Sequence, residues 1–239
     1  MSILPAPENH SMNRSLPNVP AVLAMLTVVL VLVAATATSG ASRQVPGPVA
    51  APVVDATAPS VAEDTAVFAG GCFWGIEAVY EHVKGVKSAV SGYAGGNAGN
   101  PSYEQVSTGD TGHAESVQVI YDPAQVSYGK LLQIFFSVAH DPTQLNRQGP
   151  DRGTQYRSEI FYNNPQQQQI AESYIKQLAS AKTFSRPIVT KVEKLRGFYL
   201  AEEYHQDYLA HHPNQPYIVI NDQPKVAALK KQFADIYRN

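Results

Sequence analysis

The sequence predicts an α+β fold in a single domain, because strand signals and amphipathic helix signals follow one another from Thr65 to Asn239. Hydrophobic residues make up 44% of the chain and charged residues 16%, a composition typical of globular proteins. From Thr65 onward acidic and basic residues are equal in number, so no basic face suited to nucleic acid is predicted. The pattern does not determine the order of the strands.

The predicted strands are short runs rich in β-branched and aromatic residues. Gly70-Gly71 ends the first strand and Gly95-Gly96 ends the second. The third strand has the clearest alternation of apolar and polar side chains. In chain order, the predicted strands are Thr65–Ala69, Val86–Tyr93, Ala114–Tyr121, Glu159–Tyr162 and Ile188–Val192.

The predicted helices carry apolar residues three or four positions apart. The first helix starts directly after Cys72. Ser127 is a favourable N-cap for the second, and Pro165 suits the first position of the third. Two further helices are predicted at Ala201–Ala210 and Lys225–Tyr237.

Residues 1–43 are predicted to be a signal peptide or an N-terminal membrane anchor. Ala21–Ala35 is a run of apolar and small residues, and Arg14 precedes it. Because the run is shorter than the roughly 20 residues that a spanning helix prefers, we favour a cleaved export signal. The expected location is periplasmic or otherwise extracytoplasmic, with anchoring in the inner membrane as the alternative. Residues 44–64, rich in Ala, Pro, Val and Thr, are predicted to be a flexible linker to a domain at 65–239.

Cys72 is the single cysteine of the 239 residues, which excludes an intrachain disulfide and a Cys-rich zinc site. Two glycines precede it, so the backbone can turn sharply out of the strand and place Cys72 at the start of a helix. Unpaired N–H groups and the positive end of the helix dipole favour the nucleophilic thiolate there. A buried, unreactive cysteine is the alternative. The adjacent Phe73 and Trp74 are either core aromatics or the wall of an apolar pocket.

Glu115 has the same parity as Val117, Val119 and Tyr121 in the third predicted strand. If those side chains face the core, Glu115 also points inward, because successive side chains of a strand alternate between its faces. Burial would raise the pKa of its carboxyl group, and a protonated glutamate can act as a general acid. The alternative is a carboxylate that reaches water at the strand edge. His113 is assigned a structural role, since no two histidines have metal-binding spacing.

Two polar segments complete the set of candidate residues. Tyr103 ends the turn-rich segment Asn100–Tyr103, shortly before the strand that carries Glu115. Asp151 and Tyr156 lie in the polar segment Gln148–Ser158 between a predicted helix and a predicted strand, a position where loops often carry functional groups. By itself the second segment is interpreted by default as a solvated turn, with Arg152 and Arg157 as surface charges.

Together these segments resemble the A-type peptide methionine sulfoxide reductases, in a single-cysteine form. The resemblance covers most of Thr65 to about Pro213, with the motifs in the order of the family pattern. The matching motifs are Gly71–Gly75 (GCFWG), Gly92–Gly96 (GYAGG), Gly109–Glu115 (GDTGHAE), Tyr121–Pro123 (YDP), His140–Pro142 (HDP), Gly153–Ser158 (GTQYRS) and Ala201–Leu209 (AEEYHQDYL).

The resemblance implies a role for each candidate residue. Cys72 matches the nucleophile that attacks the sulfoxide sulfur, and Glu115 matches the acid that protonates the sulfoxide oxygen. Tyr103 and Tyr156 match phenols that hydrogen-bond this oxygen, and Asp151 matches a carboxylate that helps organise the site.

The resemblance also implies a fold and an activity. The expected fold is a two-layer α/β sandwich around a mixed, mainly antiparallel sheet with a ferredoxin-like core. The expected reaction is that of a peptide-methionine (S)-S-oxide reductase, which repairs oxidised proteins and free methionine sulfoxide through a sulfenic acid intermediate. Phe73 and Trp74 match the pocket that holds the ε-methyl group of the substrate.

The sequence departs from the family pattern in lacking a second cysteine, which many members use to resolve the sulfenic acid. We therefore expect no bound cofactor and direct reduction by an external thiol, such as thioredoxin, glutaredoxin or a glutathione-like compound. The expected partners are oxidised proteins and this reductant, with no nucleic acid, and the protein is expected to be a monomer. The alternative function is a non-catalytic module that recognises oxidised methionine.

Overall fold

A mixed six-stranded sheet lies at the centre of the structure, a computed structural model that describes residues 47–56, 61–97 and 99–239. The predicted signal or anchor at 1–43 lies outside these residues. The sheet has the order β7-β6-β1-β3-β2-β8, and β4 and β5 form a separate small hairpin. The strands are β1 (Asp64–Gly70), β2 (Val86–Ala94), β3 (Ala114–Tyr121), β4 (Arg147–Gln148), β5 (Asp151–Arg152), β6 (Ser158–Tyr162), β7 (Lys191–Lys194) and β8 (Phe198–Leu200).

The arrangement of the four central strands is that of a ferredoxin-like core. Strand β3 pairs antiparallel with both β1 and β2, and β6 pairs antiparallel with the other edge of β1. Strands β1 and β2 therefore run parallel to each other with β3 between them, which is a split βαβ unit. Only the pairing of β6 with β7 is parallel among the described strands of this sheet. The predicted α+β class with a mixed, mainly antiparallel sheet is confirmed.

Three of the described α-helices begin at residues whose side chains cap them. Ser102, Ser127 and Asn164 each accept a hydrogen bond from a backbone N–H in the first turn of the helix that follows. The described residues contain no helix long and apolar enough to cross a membrane. The helices are α1 (Phe73–Glu81), α2 (Tyr103–Ser107), α3 (Tyr128–Ile134), α4 (Pro165–Ser180), α5 (Tyr208–His211) and α6 (Gln223–Gln232).

The main core lies between the sheet and the layer of helices that contains α1, α3, α4 and α6. Phe68 of β1 is fully buried at its centre and stacks on Tyr80 and Phe135, with ring centroids 5.3 and 5.1 Å apart. A much smaller apolar cluster, which includes Val67 and Phe161, covers the opposite face of the sheet. The side chains of β1 thus alternate between two unequal layers.

Two of the predicted helices are wrong in extent. Ala201–Ala210 was expected to be one helix, but it contains a 3₁₀ turn at Glu203–His205 and then the short α5. Asp207 interrupts the helix because its φ of 51° lies in the left-handed region. The last helix, expected at Lys225–Tyr237, ends at Gln232, since the following residues turn back onto the end of α1.

The strand expected at Ile188–Val192 is displaced toward the C-terminus and forms β7 at Lys191–Lys194. It pairs in parallel with β6, with Glu159 opposite Lys191. The residues before it are held by a different contact, in which the Val189 N–H donates to the Pro142 carbonyl oxygen over 2.8 Å. The β-branched pattern therefore identified the segment but not its paired residues.

Part of the predicted flexible linker is held against the helices by side-chain contacts, although most of its described residues are exposed. Val49 is 3% exposed, and its backbone N–H and carbonyl groups bond to the side chains of Ser137 and Gln133. The Tyr174 hydroxyl donates to the Ala50 carbonyl oxygen over 2.6 Å. Side-chain partners thus replace the secondary structure that this segment lacks, so the composition of the segment did not indicate its order.

We expect the Asp55→Ala variant to unfold at a lower urea concentration. The Asp55 carboxylate accepts hydrogen bonds from the Ser127 hydroxyl at 2.5 Å and from the Gly129 N–H at 2.8 Å. Loss of both bonds should lower the free energy of unfolding by about 1–3 kcal/mol. The matched control is Asp235→Ala, at an exposed position of the same residue type. Equal urea midpoints for the two variants would show that the packed segment contributes nothing to stability.

Candidate active site

One cavity of about 280 Å³ brings together every residue that the sequence analysis singled out as a candidate. These residues come from five separate parts of the chain, around the C-terminal end of β1 and the start of β3. The cavity also contains two residues that were not predicted, Gln215 and Tyr217. Its predicted lining residues are Cys72, Phe73, Trp74, Tyr103, Glu115, Asp151 and Tyr156.

Cys72 occupies the N-cap position of α1, directly after the turn that ends β1. The turn depends on Gly71, whose φ of +100° is strained for any residue with a Cβ atom. The side chain of Gln148 fills the space that such a Cβ would take. The Cys72 residue is 7% exposed, so its sulfur is nearly buried but still reaches the cavity.

Burial raises the pKa of the Cys72 thiol well above its usual value. The charges of Glu115 and Asp222 act in the same direction, whereas a hydrogen bond from the Trp74 backbone N–H and the charge of Lys225 favour the thiolate. The helix start therefore contributes in the direction expected from the sequence, but desolvation outweighs it.

Glu115 faces the cavity from β3 and is 2% exposed, as its parity with the buried side chains of this strand predicts. Its Oε2 atom accepts a hydrogen bond from the Phe73 N–H at 3.1 Å. Burial raises the pKa of the carboxyl group to about 8, and the charges of Asp151 and Asp222 add to the increase. The carboxyl group is consequently mostly protonated at neutral pH and can donate a proton.

Tyr103 and Tyr156 place two phenol groups at the same cavity, and burial raises the pKa of each, so both remain protonated donors. Tyr103 begins α2, and its N–H donates to Glu202 Oε1 at 2.8 Å. Tyr156 ends the 3₁₀ turn Thr154–Tyr156 that precedes β6. Tyr103 precedes β3 in the chain and Tyr156 follows it, so two separate segments bring the phenols to the cavity.

Asp151 is fixed by a partner that the sequence analysis missed. The Tyr217 hydroxyl donates to Asp151 Oδ2 at 2.5 Å. Burial raises the pKa of Asp151, while this hydrogen bond opposes the increase. Tyr217 precedes a π-helical segment, Ile218–Asp222, in which no simple hydrophobic period points to a site. An aromatic residue directly after a proline was the only local signal.

The aromatic wall of the cavity is held by the segment after β8. The Trp74 indole N–H donates to His205 Nδ1 at 3.2 Å, and its ring stacks on Tyr208 with centroids 3.7 Å apart. Tyr217 meets the Trp74 ring edge-on at 5.9 Å. Phe73 lies beneath and is fully buried. The indole ring therefore has a fixed orientation, which suits recognition of a small apolar group.

The arrangement as a whole combines a sulfur nucleophile with a neutral carboxylic acid and two phenols beside an aromatic wall. Such a cavity suits attack by sulfur on an atom that carries an oxygen, because that oxygen becomes negatively charged unless it receives protons or hydrogen bonds. The aromatic wall at Phe73 and Trp74 suits an apolar substituent of the attacked atom.

Comparison with known proteins identifies a consistent set of relatives. Residues 64–237 match the family model described as peptide methionine sulfoxide reductase. The peptide methionine sulfoxide reductase MsrA 2 of Mesorhizobium japonicum is 62% identical over 174 residues, which are 73% of this chain and 89% of the relative. That of Synechocystis sp. is 51% identical over 187 residues, 77% of this chain and 87% of the relative.

Solved structures of two relatives resemble this chain in fold as well as in sequence. Mxr1 from Saccharomyces cerevisiae in reduced form is 34% identical with a TM-score of 0.58, covering 66% of this chain and 91% of that chain. Methionine sulfoxide reductase A of Corynebacterium diphtheriae is 40% identical with a TM-score of 0.56, covering 64% of this chain and 77% of that chain.

Proposed function

The chain belongs to the peptide methionine sulfoxide reductases of the A type and reduces methionine sulfoxide, and we propose that Cys72 and Glu115 carry out this reaction on the S-epimer. The observation that supports this assignment is the shared cavity, in which the one sulfur nucleophile and a buried acid meet beside an aromatic wall. Free methionine sulfoxide and oxidised methionines in proteins are the proposed substrates, so the biological role is repair.

The proposed step transfers one oxygen atom from the substrate sulfur to Cys72. The Cys72 sulfur bonds to the sulfoxide sulfur, while Glu115 gives its proton to the sulfoxide oxygen. The oxygen then bonds to the Cys72 sulfur, while the bond between this oxygen and the substrate sulfur and the bond between the two sulfurs both break, and methionine leaves. Cys72 is oxidised to a sulfenic acid and the substrate sulfur is reduced to a thioether. The proton released by the thiol restores the acid form of Glu115, so atoms and charge balance.

A neutral Glu115 also assists ionisation of the nucleophile. A negative charge on Glu115 is one of the causes that raise the pKa of Cys72. Because the carboxyl group is protonated below about pH 8, this repulsion is absent in the form of the enzyme that reacts. The same proton therefore serves twice, first by removing a like charge and then by activating the sulfoxide oxygen.

Three directions in the cavity define the configuration of the substrate sulfur. The sulfur faces Cys72, the oxygen faces the donors Glu115, Tyr103 and Tyr156, and the ε-methyl group faces Trp74. A sulfoxide of the opposite configuration, bound with its oxygen on the same donors, would exchange the ε-methyl group with the rest of the methionine side chain. The longer substituent would then face Trp74 in place of the methyl group.

We expect Glu115→Gln to slow the reduction of methyl p-tolyl sulfoxide by dithiothreitol about 10²–10⁴-fold, since an amide cannot donate the required proton. Iodoacetamide should alkylate Cys72 in this variant at least as fast as in the wild type, because glutamine carries no charge. Wild-type reduction should fall as the pH rises through about 8, where Glu115 loses its proton. The variant should lack this fall.

The controls for this experiment separate the acid from the nucleophile. Cys72→Ser should lose all reduction and all alkylation with unchanged circular dichroism. Glu193→Gln makes the same chemical change at an exposed position of β7 and should behave as the wild type. Near-normal reduction by Cys72→Ser would end the proposal, and so would a Glu115→Gln variant that keeps the wild-type rate.

We further propose that an external dithiol protein of the thioredoxin class, or glutathione, regenerates Cys72. The sequence supplies no second cysteine to form an internal disulfide. The first external thiol condenses with the sulfenic acid to give a mixed disulfide and water, and a second thiol releases reduced Cys72. A monomer is proposed, because one chain contains the complete set of candidate groups.

Mass spectrometry tests the route of regeneration. Enzyme treated with methionine sulfoxide and then with glutathione should gain one glutathionyl group at Cys72, and dithiothreitol should remove it. Cys72→Ser should gain none. Continued turnover with glutathione, without any adduct in rapidly quenched samples, would contradict a mixed disulfide.

We propose export for the protein, on the basis of the apolar run Ala21–Ala35 preceded by Arg14. N-terminal sequencing of the protein from fractionated cells should find a mature chain that starts after this run in the extracytoplasmic fraction. An intact N-terminus in the membrane fraction would indicate an anchor instead of a cleaved signal. An intact N-terminus in the cytosolic fraction would contradict export.

A further inference from the structure

A buried ion pair lies against the helix turn that carries Cys72. Asp222 is fully buried, the Lys225 side chain is 13% exposed, and Lys225 Nζ lies 3.0 Å from Asp222 Oδ1. The two residues are three positions apart at the start of α6, so their side chains lie on one side of this helix. Both charges act on the Cys72 thiol, with opposite sign.

The last glycine of the Gly71–Gly75 motif makes room for this pair. A Cβ atom at Gly75 would collide with the Asp222 carboxylate and would lie 2.8 Å from Lys225 Nζ. Gly75 is in the first turn of α1, three positions after Cys72, and therefore faces the same side of the helix. The absence of a side chain at this position lets the ion pair approach the helix start closely.

Stability does not explain why these charges are buried. Removing two ions from water costs several kcal/mol, which their mutual attraction often fails to recover. The Asp222 carboxylate also makes no capping hydrogen bond to α6, although aspartate is a favoured N-cap residue. Its Oδ2 atom is buried without a hydrogen-bond partner among the described residues. A role at the adjacent sulfur would account for keeping such a costly arrangement.

We propose that Lys225 and Asp222 are positioning residues for the reaction of Cys72: the Lys225 ammonium favours negative charge on the sulfur, and Asp222 holds the ammonium against the first turn of α1. The inference deepens the proposed function and depends on Cys72 being its nucleophile. Of the two charges, Asp222 acts on the sulfur more strongly and opposes the thiolate, whereas Lys225 offsets part of this opposition, so the pair sets how readily the thiol ionises.

Other titratable groups also face the Cys72 sulfur and affect its ionisation. Glu115 approaches from β3, Asp151 from β5 and Tyr217 from the segment before α6, and Tyr103 and Tyr156 line the remaining side of the cavity. Burial raises the pKa of Glu115 to about 8, and its charge acts on the Cys72 thiol. Measurements in the Glu115→Gln background remove this titration.

The experiment measures the rate of Cys72 alkylation by iodoacetamide against pH, in the full chain and in the Glu115→Gln background. Lys225→Met should raise the pH at the midpoint of the alkylation profile by about one unit or more, and Asp222→Asn should lower it by about one unit. At a fixed pH below both midpoints, a one-unit rise corresponds to an alkylation rate about tenfold lower. Lys225→Arg keeps the charge and should keep most of the wild-type midpoint.

The matched control is Lys231→Met on α6, whose exposed side chain should leave the midpoint in place. A merely structural pair would make both variants less stable without moving the two midpoints in opposite directions. Equal midpoints, or shifts of the same sign, would overturn the inference. If Lys225→Met fails to fold, the downward shift of Asp222→Asn decides, and its absence overturns the inference.

Sulfoxide reduction by the wild type is measured beside alkylation, so that the two proposals fail separately. If the alkylation midpoints shift in opposite directions but reduction does not depend on Cys72, the proposed function is rejected and the electrostatic role of the pair is kept. Cys72-dependent reduction with unmoved midpoints would reject the electrostatic role and keep the proposed function.

Discussion

The hydrogen bond from the Phe73 N–H to Glu115, 3.1 Å long, connects the two halves of the site. It joins the first residue of α1 to the strand β3, which is not adjacent to α1 in sequence. The bond exists because Gly71 turns the chain sharply at the end of β1 and because the parity of β3 points the carboxyl group inward. This N–H has no partner within α1, because it lies in the first turn of the helix. By accepting its hydrogen bond, Glu115 is held next to the residue that follows Cys72.

Burial has opposite consequences for the two proposed reacting groups. It raises the pKa of Glu115 to about 8, which gives the acid the proton that the proposed step requires. It also raises the pKa of Cys72, which opposes the thiolate. Burial alone therefore cannot optimise both groups. The Trp74 N–H and the Lys225 ammonium act on the sulfur in the other direction, and a neutral Glu115 removes one repulsive charge.

The sequence predicted the parts of this arrangement that depend on local pattern. The glycines before Cys72 indicated the turn, and the alternation of β3 indicated the direction of Glu115, because both signals lie within a few residues. The contacts of Trp74 with His205 and of Asp151 with Tyr217 join residues that are 131 and 66 positions apart. The spacing of apolar residues within a helix or strand cannot predict pairs so far apart in sequence. The family resemblance, and not the pattern, associated the separate candidates with one site.

The errors in the predicted elements have related causes. A helical spacing of apolar residues at Ala201–Ala210 suggested one helix, yet the left-handed Asp207 divides it. Glu202 in this segment accepts hydrogen bonds from the Tyr103 N–H and the Tyr93 hydroxyl, so its side chain supports the cavity. The segment at Val49–Asp55 was assigned to a linker from its composition. Composition carries no information about side-chain partners such as Ser137, which lies in the π-helical turn Phe135–Ala139 directly after α3.

In the proposed reaction the same sulfur serves both half-reactions, because the chain has one cysteine. The sulfenic oxygen on Cys72 would lie where the sulfoxide oxygen was, beside Glu115 and the phenols, in the cavity that the substrate entered. Because the cysteine is only 7% exposed, an external thiol must approach along this cavity as well. Methionine therefore has to leave before the reductant can reach the sulfur. The geometry thus favours a strict alternation of substrate and reductant, and the burial that activates the acid also imposes this order.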